Sequence, residues 1–416
     1  MIVVVGAGLA GLVAAVRLAE GGERVLVLAK GVGATHLSPC TIDVLGYAPD
    51  RVDRPLEAVD GLGADHPYSL VGRDAIVAAA AWWREAMPYV GGVEENLLLP
   101  TAVGALKPSA LVPETMAAGA GTDPVCVVGF RALKDFHAAL LADNLRRAGI
   151  EARSVELDVL PEGRVDANSL AFARAFDDPG FRNHVAGSLH LGEGERVAFP
   201  AVLGVTSEAW RTLQDQLGRP VFEVPTLPPS VPGMRVAKAL RERLRQARGR
   251  LVVNNVVIGA ERSGDRVTAL RVRVGLREVT QRADWVVLAT GGFASGGLEL
   301  DSHWQASEVA LGLPVTGVPA AERFTPSYFD DHPMGRAGVA VGRDLRPDGL
   351  ENVLVVGATL AGAQPWKEKS GDGISLATGY HAAGLIAGTR TSEPTRAQPL
   401  SSEPTTAPSP GAKTEA

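Results

Sequence analysis

Met1-Ile2-Val3-Val4-Val5-Gly6-Ala7-Gly8-Leu9-Ala10-Gly11 opens the chain, and its reading decides the fold. The apolar run predicts a buried first strand, the glycines follow in G-x-G-x-x-G spacing, and the pattern continues as a helix over 12–19 and a second strand over 24–28. Each glycine has a distinct task in such a turn. Gly6 makes the tight bend, Gly8 lets backbone approach a pyrophosphate, and Gly11 lets helix and strand pack closely. The helix N-terminus then presents N–H groups and a positive dipole end to phosphate. A strand–turn–helix–strand frame around these glycines points to a nucleotide cofactor.

The residue after the second strand bears on the adenosine half. Dinucleotide sites usually carry a carboxylate about 20 residues beyond the glycines to bind ribose. Here the strand ends in Ala29-Lys30, so that acceptor is missing. Lys30 suits a phosphate partner or an ordinary solvated strand end.

The 416 residues suffice for two domains with sizeable cores, and 46% hydrophobic with 21% charged residues describe an ordinary globular chain. A formal net charge of −6 gives no basic field for nucleic acid. Cys40 and Cys126 are the only cysteines, which excludes a disulfide scaffold, a cysteine-based metal site and a cysteine-ligated iron–sulfur cluster within the chain. Electrons leaving a redox cofactor here need a partner that carries clusters. No run approaches the about 18 apolar residues of a membrane span, and the short apolar start without a basic leader is not a signal peptide. The expected location is cytoplasmic, or peripheral at the inner membrane face through a partner.

Three separated segments read as one nucleotide-binding domain. They cover residues 1–60, 236–297 (helix 236–247, strand 251–258, a hairpin at 263–265, strand 285–289) and 324–390. Residues 61–235 form a large insertion, expected as a mixed α+β cap that shapes a substrate pocket, with 298–323 as its return segment. Residues 391–416, dominated by Ser, Thr, Pro, Ala and Glu, read as a disordered tail. Two further glycine motifs sharpen the cofactor. Thr290-Gly291-Gly292 follows an apolar strand, and Gly357 ends another. Gly371-Asp372-Gly373 opens a helix whose N-terminus can support negative charge on a reduced isoalloxazine, though Asp372 also suits a helix cap. Together they predict an α/β, Rossmann-like flavoprotein fold of the two-dinucleotide-binding type.

At these residues the chain resembles a known family. The order of motifs is similar to the fumarate reductase/succinate dehydrogenase type of flavoprotein. Residues 5–11, Gly33-Ala34-Thr35-His36-Leu37-Ser38-Pro39-Cys40-Thr41-Ile42-Asp43-Val44-Leu45-Gly46-Tyr47, Leu227-Pro228-Pro229-Ser230-Val231-Pro232-Gly233-Met234-Arg235 and the run 357–383 resemble the B subunits of anaerobic glycerol-3-phosphate dehydrogenases. The resemblance implies oxidation of sn-glycerol 3-phosphate to dihydroxyacetone phosphate. It also implies a second, catalytic flavoprotein subunit and an iron–sulfur membrane-anchoring subunit, with electrons reaching quinone and fumarate or nitrate as terminal acceptor. The family suggests FMN, while the glycine motif suits FAD as well. Members that bond the flavin covalently do so through a His just before the Thr; Ala34 stands there, which implies non-covalent binding.

Thr35 and Ser38 fall in a loop that lies beside the flavin ring in that type, where their hydroxyls suit N5 or O4 or an ordinary turn. His36 suits a ligand, a base or a packed side chain, and Cys40 is expected to be small and buried. Asp331-His332-Pro333-Met334-Gly335 resembles the stretch holding a substrate-contacting His, which makes His332 the candidate base. Arg235 and Arg131 are candidates for the phosphate, since Arg offers a bidentate fork. Two roles stay open: a dehydrogenase with its own substrate pocket, or an electron relay between a catalytic flavoprotein and the iron–sulfur partner. Another FAD-dependent oxidoreductase is a third reading.

Overall fold

The computed structural model describes residues 1–161, 166–316, 319–330 and 332–392. Along the chain come β1 (Ile2–Val5), α1 (Leu9–Glu20) and β2 (Val25–Ala29), then α2 (Arg73–Ala86). The strands β3 (Val125–Phe130), β4 (Ala152–Leu157), β5 (Arg196–Pro200) and β6 (Val221–Val224) belong to the insertion. After α3 (Val231–Gln246) follow β7 (Arg250–Val253), β8 (Asn255–Ser263), β9 (Arg266–Val274), β10 (Arg277–Arg282), β11 (Trp285–Leu288), β12 (Val353–Val355) and α4 (Gly371–Ser392).

The sheet that carries the glycine loop is parallel, in the order β7-β2-β1-β11-β12. Its last four strands in this order are apolar and buried because helices cover one face and an antiparallel meander, β8-β9-β10, the other. Strand order reverses at β1, with β2 on one side and β11 on the other. That is the switch point at whose carboxyl ends ligands bind in doubly wound sheets. The insertion has its own parallel sheet, β6-β5-β3-β4, with a separate aromatic core around Phe130, Phe172, Phe176 and Phe199. Helix α2, inside the expected insertion, instead packs Ile76, Ala79 and Trp83 into the core of the first sheet, against α4.

Several elements differ from their sequence reading. Helix α1 starts at Leu9, since Gly8 already serves as its N-cap. Helix α3 begins at Val231 rather than 236, because Ser230 Oγ accepts the Gly233 N–H at 3.1 Å and Pro232 sits in the first turn. The strand expected over 251–258 is two. Asn254 turns the backbone left-handed at φ +64, which sends β7 into the parallel sheet and β8 into the meander. Helix α4 extends to Ser392, and the remaining tail, 393–416, lies outside the described residues.

Asn352 joins meander and parallel sheet. Fully buried, it donates from Nδ2 to Val267 O (2.7 Å) and Asp284 O (2.9 Å) and accepts from Val267 N (2.9 Å). Asn352→Ala removes the buried side-chain partner of the Val267 N–H and carbonyl and one of the two donors to the Asp284 carbonyl, which Arg266 Nη2 also reaches at 3.3 Å. The expected loss is about 2–3 kcal/mol of stability, read by equilibrium denaturation.

Candidate functional site: a flavin cleft

A cleft of about 660 Å³ follows the carboxyl ends of the parallel strands, from Lys30, Asn255 and Val257 on the β2 side, past Gly6 and Gly8, to Gly357 and Asp372. Its shape depends on close backbone approaches. At Gly6 (φ +115) a Cβ would overlap the Ala289 carbonyl, and at Gly11 it would overlap the Gly6 carbonyl. Gly8 differs. A Cβ there meets nothing within 4 Å, because this residue faces the open cleft at the N-terminus of α1. That is the surface a pyrophosphate needs.

The loop 34–38 forms another part of the wall and is buttressed by α3. Ser230 N donates to His36 O (2.9 Å), and a Cβ on Gly233 would collide with the carbonyl oxygens of Thr35 and Ser38. The Pro-Pro-Ser-x-Pro-Gly element is thus the support of the loop. Thr35 Oγ1 is buried beside the cleft with no hydrogen-bond partner among the described residues. An orphaned hydroxyl, an open glycine at a helix end and a cleft passing both fit a flavin nucleotide. Ser38 Oγ donates to Asp372 Oδ2 (2.7 Å) and accepts from Cys40 N (3.0 Å), tying the loop to the first turn of α4. Burial pushes the Asp372 carboxyl up to about 6; Ser38 and Lys107 oppose the shift and Asp43 adds to it. Protonated Asp372 leaves the dipole of α4 unopposed toward the cleft, whereas ionised Asp372 cancels part of it.

Of the residues singled out in the sequence, Gly6, Gly8, Lys30, Thr35, Ser38, Thr290, Gly291, Gly357 and Asp372 all line this cleft. Gly11, Gly371 and Gly373 do not. Gly11 is the contact between α1 and the Gly6 turn; at Gly373 a Cβ would run into Tyr68 Oη and Asp43 O, so this glycine serves packing of α4. The three residues expected at a substrate lie elsewhere. Arg235 makes a buried ion pair with Glu223 on β6 (Nη1 to Oε2, 2.6 Å) and donates to Gly204 O from Nη2 (2.6 Å), which consumes its fork. Arg131 is an exposed side chain 3.6 Å from Asp158. His332 sits outside the cleft lining, bonded to Thr325 and to Tyr328 O; its expected neighbour Asp331 lies outside the described residues.

Other groups escaped the sequence reading. Thr359 is fully buried, and its hydroxyl accepts from Gly291 N (2.9 Å), while Thr378 Oγ1 accepts from Gly357 N (2.9 Å). Both hold cleft backbone from behind. Lys107 donates to Asp43 Oδ2 (2.6 Å) and Thr41 Oγ1 (2.7 Å), anchoring a hairpin of the insertion to the strap that follows the loop. Cys40 is buried and burial raises its thiol pKa, so it is inert packing with its carbonyl held by Tyr89 Oη at 2.6 Å. Among the described residues no group of His, Cys, Asp and Glu is gathered as for a metal, and no helix is long and apolar enough to cross a membrane.

Residues 1–374 match the FAD binding domain family, which places the chain among flavin-dependent oxidoreductases. Over 413 residues it is 32% identical to the B subunit of the anaerobic glycerol-3-phosphate dehydrogenase of Pectobacterium atrosepticum, covering 92% of this chain and 98% of that one. A probable B subunit of the same kind of enzyme, from Halobacterium salinarum, is 32% identical over 423 residues, covering 93% and 97%. The chain belongs to the family of anaerobic glycerol-3-phosphate dehydrogenase B subunits. Among solved structures, Mycobacterium smegmatis Sdh1 in complex with UQ1 superposes with a TM-score of 0.43 at 11% identity, over 95% of this chain and 69% of that one.

The two kinds of glycine separate by experiment. Gly8→Val fills only open cleft, so the flavin-to-protein ratio is expected to fall at least tenfold while the melting temperature of the apo-protein holds; Gly6→Val lowers both. For Asp372 the sign is fixed by the raised folded pKa. Between roughly pH 4, where an unfolded aspartate titrates, and the folded value of about 6, the native chain binds the extra proton. Its stabilising effect is therefore full at low pH and lost as pH rises through that window. Melting temperatures of apo Asp372→Asn should lack this contribution to the fall between pH 4 and 6.5, and an unchanged slope would contradict the assignment.

Proposed function

We propose that the chain is a flavin-carrying component of a complex that oxidises sn-glycerol 3-phosphate to dihydroxyacetone phosphate. Within it the chain passes electrons from a catalytic flavoprotein subunit to an iron–sulfur subunit and on to quinone. A bound flavin supplies what such a station requires, acceptance of two electrons and their release one at a time. The relay role is favoured over a substrate site in this chain by one observation: Lys30 is the sole cationic side chain among the described residues lining the cleft. A dianionic phosphate needs paired or bidentate cations; Arg235 is spent on Glu223, and Arg131 is an exposed side chain outside the cleft lining. The 32% identity to named B subunits over nearly the whole chain supports the setting.

The cofactor we propose is FAD rather than FMN. The cleft continues beyond the glycine loop to Lys30, Asn255 and Val257, space that a mononucleotide leaves unused. Gly8 and the α1 N-terminus are suited to the pyrophosphate, Thr35 and Ser38 to the ring edge, and the first turn of α4 to charge arriving on the ring. Asp372, bonded to Ser38 Oγ, has its pKa raised toward neutrality, and its protonated form limits repulsion of that charge.

The test uses the full chain, purified with its flavin. Mass analysis of the released cofactor is expected to give FAD. Anaerobic sn-glycerol 3-phosphate is expected to leave the flavin absorbance unchanged until the partner flavoprotein subunit is added, and then to bleach it. Bleaching by substrate alone would move catalysis into this chain, and a preparation that never binds flavin would overturn the whole reading.

A further inference from the structure

Residues 323–330 and His332 form a loop whose tip is aromatic and uncovered. Tyr328 and Phe329 are 85% and 92% exposed, with ring centroids 5.3 Å apart. Phe324 and Trp304, both about half exposed, stack edge-on at 5.1 Å, and Phe324 lies 5.9 Å from the His332 ring. The imidazole shapes this surface. Nδ1 accepts from Thr325 N at 3.3 Å, so the proton sits on Nε2, which donates to Tyr328 O at 2.9 Å. Both ring nitrogens are engaged in folding the loop back on itself, and the tip residues are thrust outward. His332 is thereby a positioning residue for this loop. Single exposed apolar side chains are ordinary, but a group of four exposed aromatic rings on one loop and its neighbouring turn marks a contact surface.

The charges beside it narrow the occupant. Asp301, which caps the Trp304 turn, together with Glu322 and Asp330, is exposed and acidic, while Arg323 is buried. An anionic lipid leaflet repels such a rim. A second copy of the chain, meeting the same patch by two-fold symmetry, would set acidic rim against acidic rim. A different protein chain with an apolar hollow bordered by Lys or Arg satisfies both constraints.

We propose that this aromatic loop is the surface through which the chain docks onto another component of its complex, one presenting a basic rim around an apolar hollow. The inference rests on the multi-subunit reading above. The experiment co-expresses the full chain with the other subunits of its complex and compares wild type, Tyr328→Ser/Phe329→Ser and Glu322→Lys/Asp330→Lys. Both variants are expected to keep the wild-type flavin content and melting temperature when purified alone. The aromatic variant is expected to weaken assembly at least tenfold, and charge reversal to weaken it at low salt while removing its salt dependence. If the aromatic variant is unstable, the charge-reversed one decides by the same readout. Assembly equal to wild type overturns the docking surface alone and leaves the relay reading standing. Two results assign the loop elsewhere and also overturn it: a wild-type dimer that the aromatic variant dissociates, or binding to phosphatidylglycerol vesicles that it abolishes. A wild-type chain that joins no other component of the complex overturns both readings.

Discussion

The buried pair between Arg235 and Glu223 is the joint on which the rest of the architecture depends. Glu223 belongs to the sheet of the insertion and is wholly removed from solvent; Arg235 belongs to the helix whose first turn presses on the loop 34–38. Breaking such a pair strands a charge in the interior, at a cost of about 3–5 kcal/mol. Carboxylate and guanidinium are further satisfied by Leu203 N and Gly204 O, so the contact is directional as well as strong. The insertion is therefore fastened to the nucleotide domain beside the loop that walls the cleft, and the loop inherits its position from that joint.

A rigid wall matters because the cleft has few side chains with which to grip a cofactor. Its lining is mostly glycine, alanine and aliphatic residues, and the polar side chains that fix its backbone, Thr359 and Thr378, are buried beneath it. Precision comes from the layer behind the surface. The one carboxyl among the described residues lining the cleft, Asp372, is held by Ser38 at the start of α4, where helix dipole and side-chain charge act in opposite senses.

Much of this was legible in the sequence, for reasons that differ by residue. The opening strand, glycine turn and helix are local features, and their spacing alone fixes the geometry at Gly6, Gly8 and Gly11. The Thr290 and Gly357 turns were readable as cleft components because each ends an apolar strand, and the loop 34–38 through the family resemblance its residues carry. What stayed hidden depends on partners distant in sequence. Arg235 follows a rigid turn, as a ligand-binding arginine would, and only the fold brings Glu223 beneath it. Gly373 looks like part of a glycine-rich helix entry facing the flavin until Tyr68 is seen to occupy the space of its missing side chain. Asn254 is one polar residue between two apolar runs, and nothing in the pattern says which run joins which sheet. Lys107 carried no motif at all, although Thr41 and Asp43, which receive it, lie within the most specific stretch of the chain.

The interleaving of the nucleotide domain has a consequence for how the protein is made. Ile2 pairs with Trp285, and α1 lies against α4, the last described helix. During synthesis the glycine turn and β2 precede the insertion, whereas β11, the other sheet neighbour of β1, and the helix that completes the cleft follow it. The sheet of the insertion, contiguous between residues 125 and 224, has all its strands available long before. Long-range pairing of this kind is slow, and the exposed edges of β1 and β2 stay open to wrong partners in the interval. A cleft walled by segments this far apart in the chain can hold a flavin only after β11 and α4 are in place, and the binding free energy then adds to the stability of the sheet they complete.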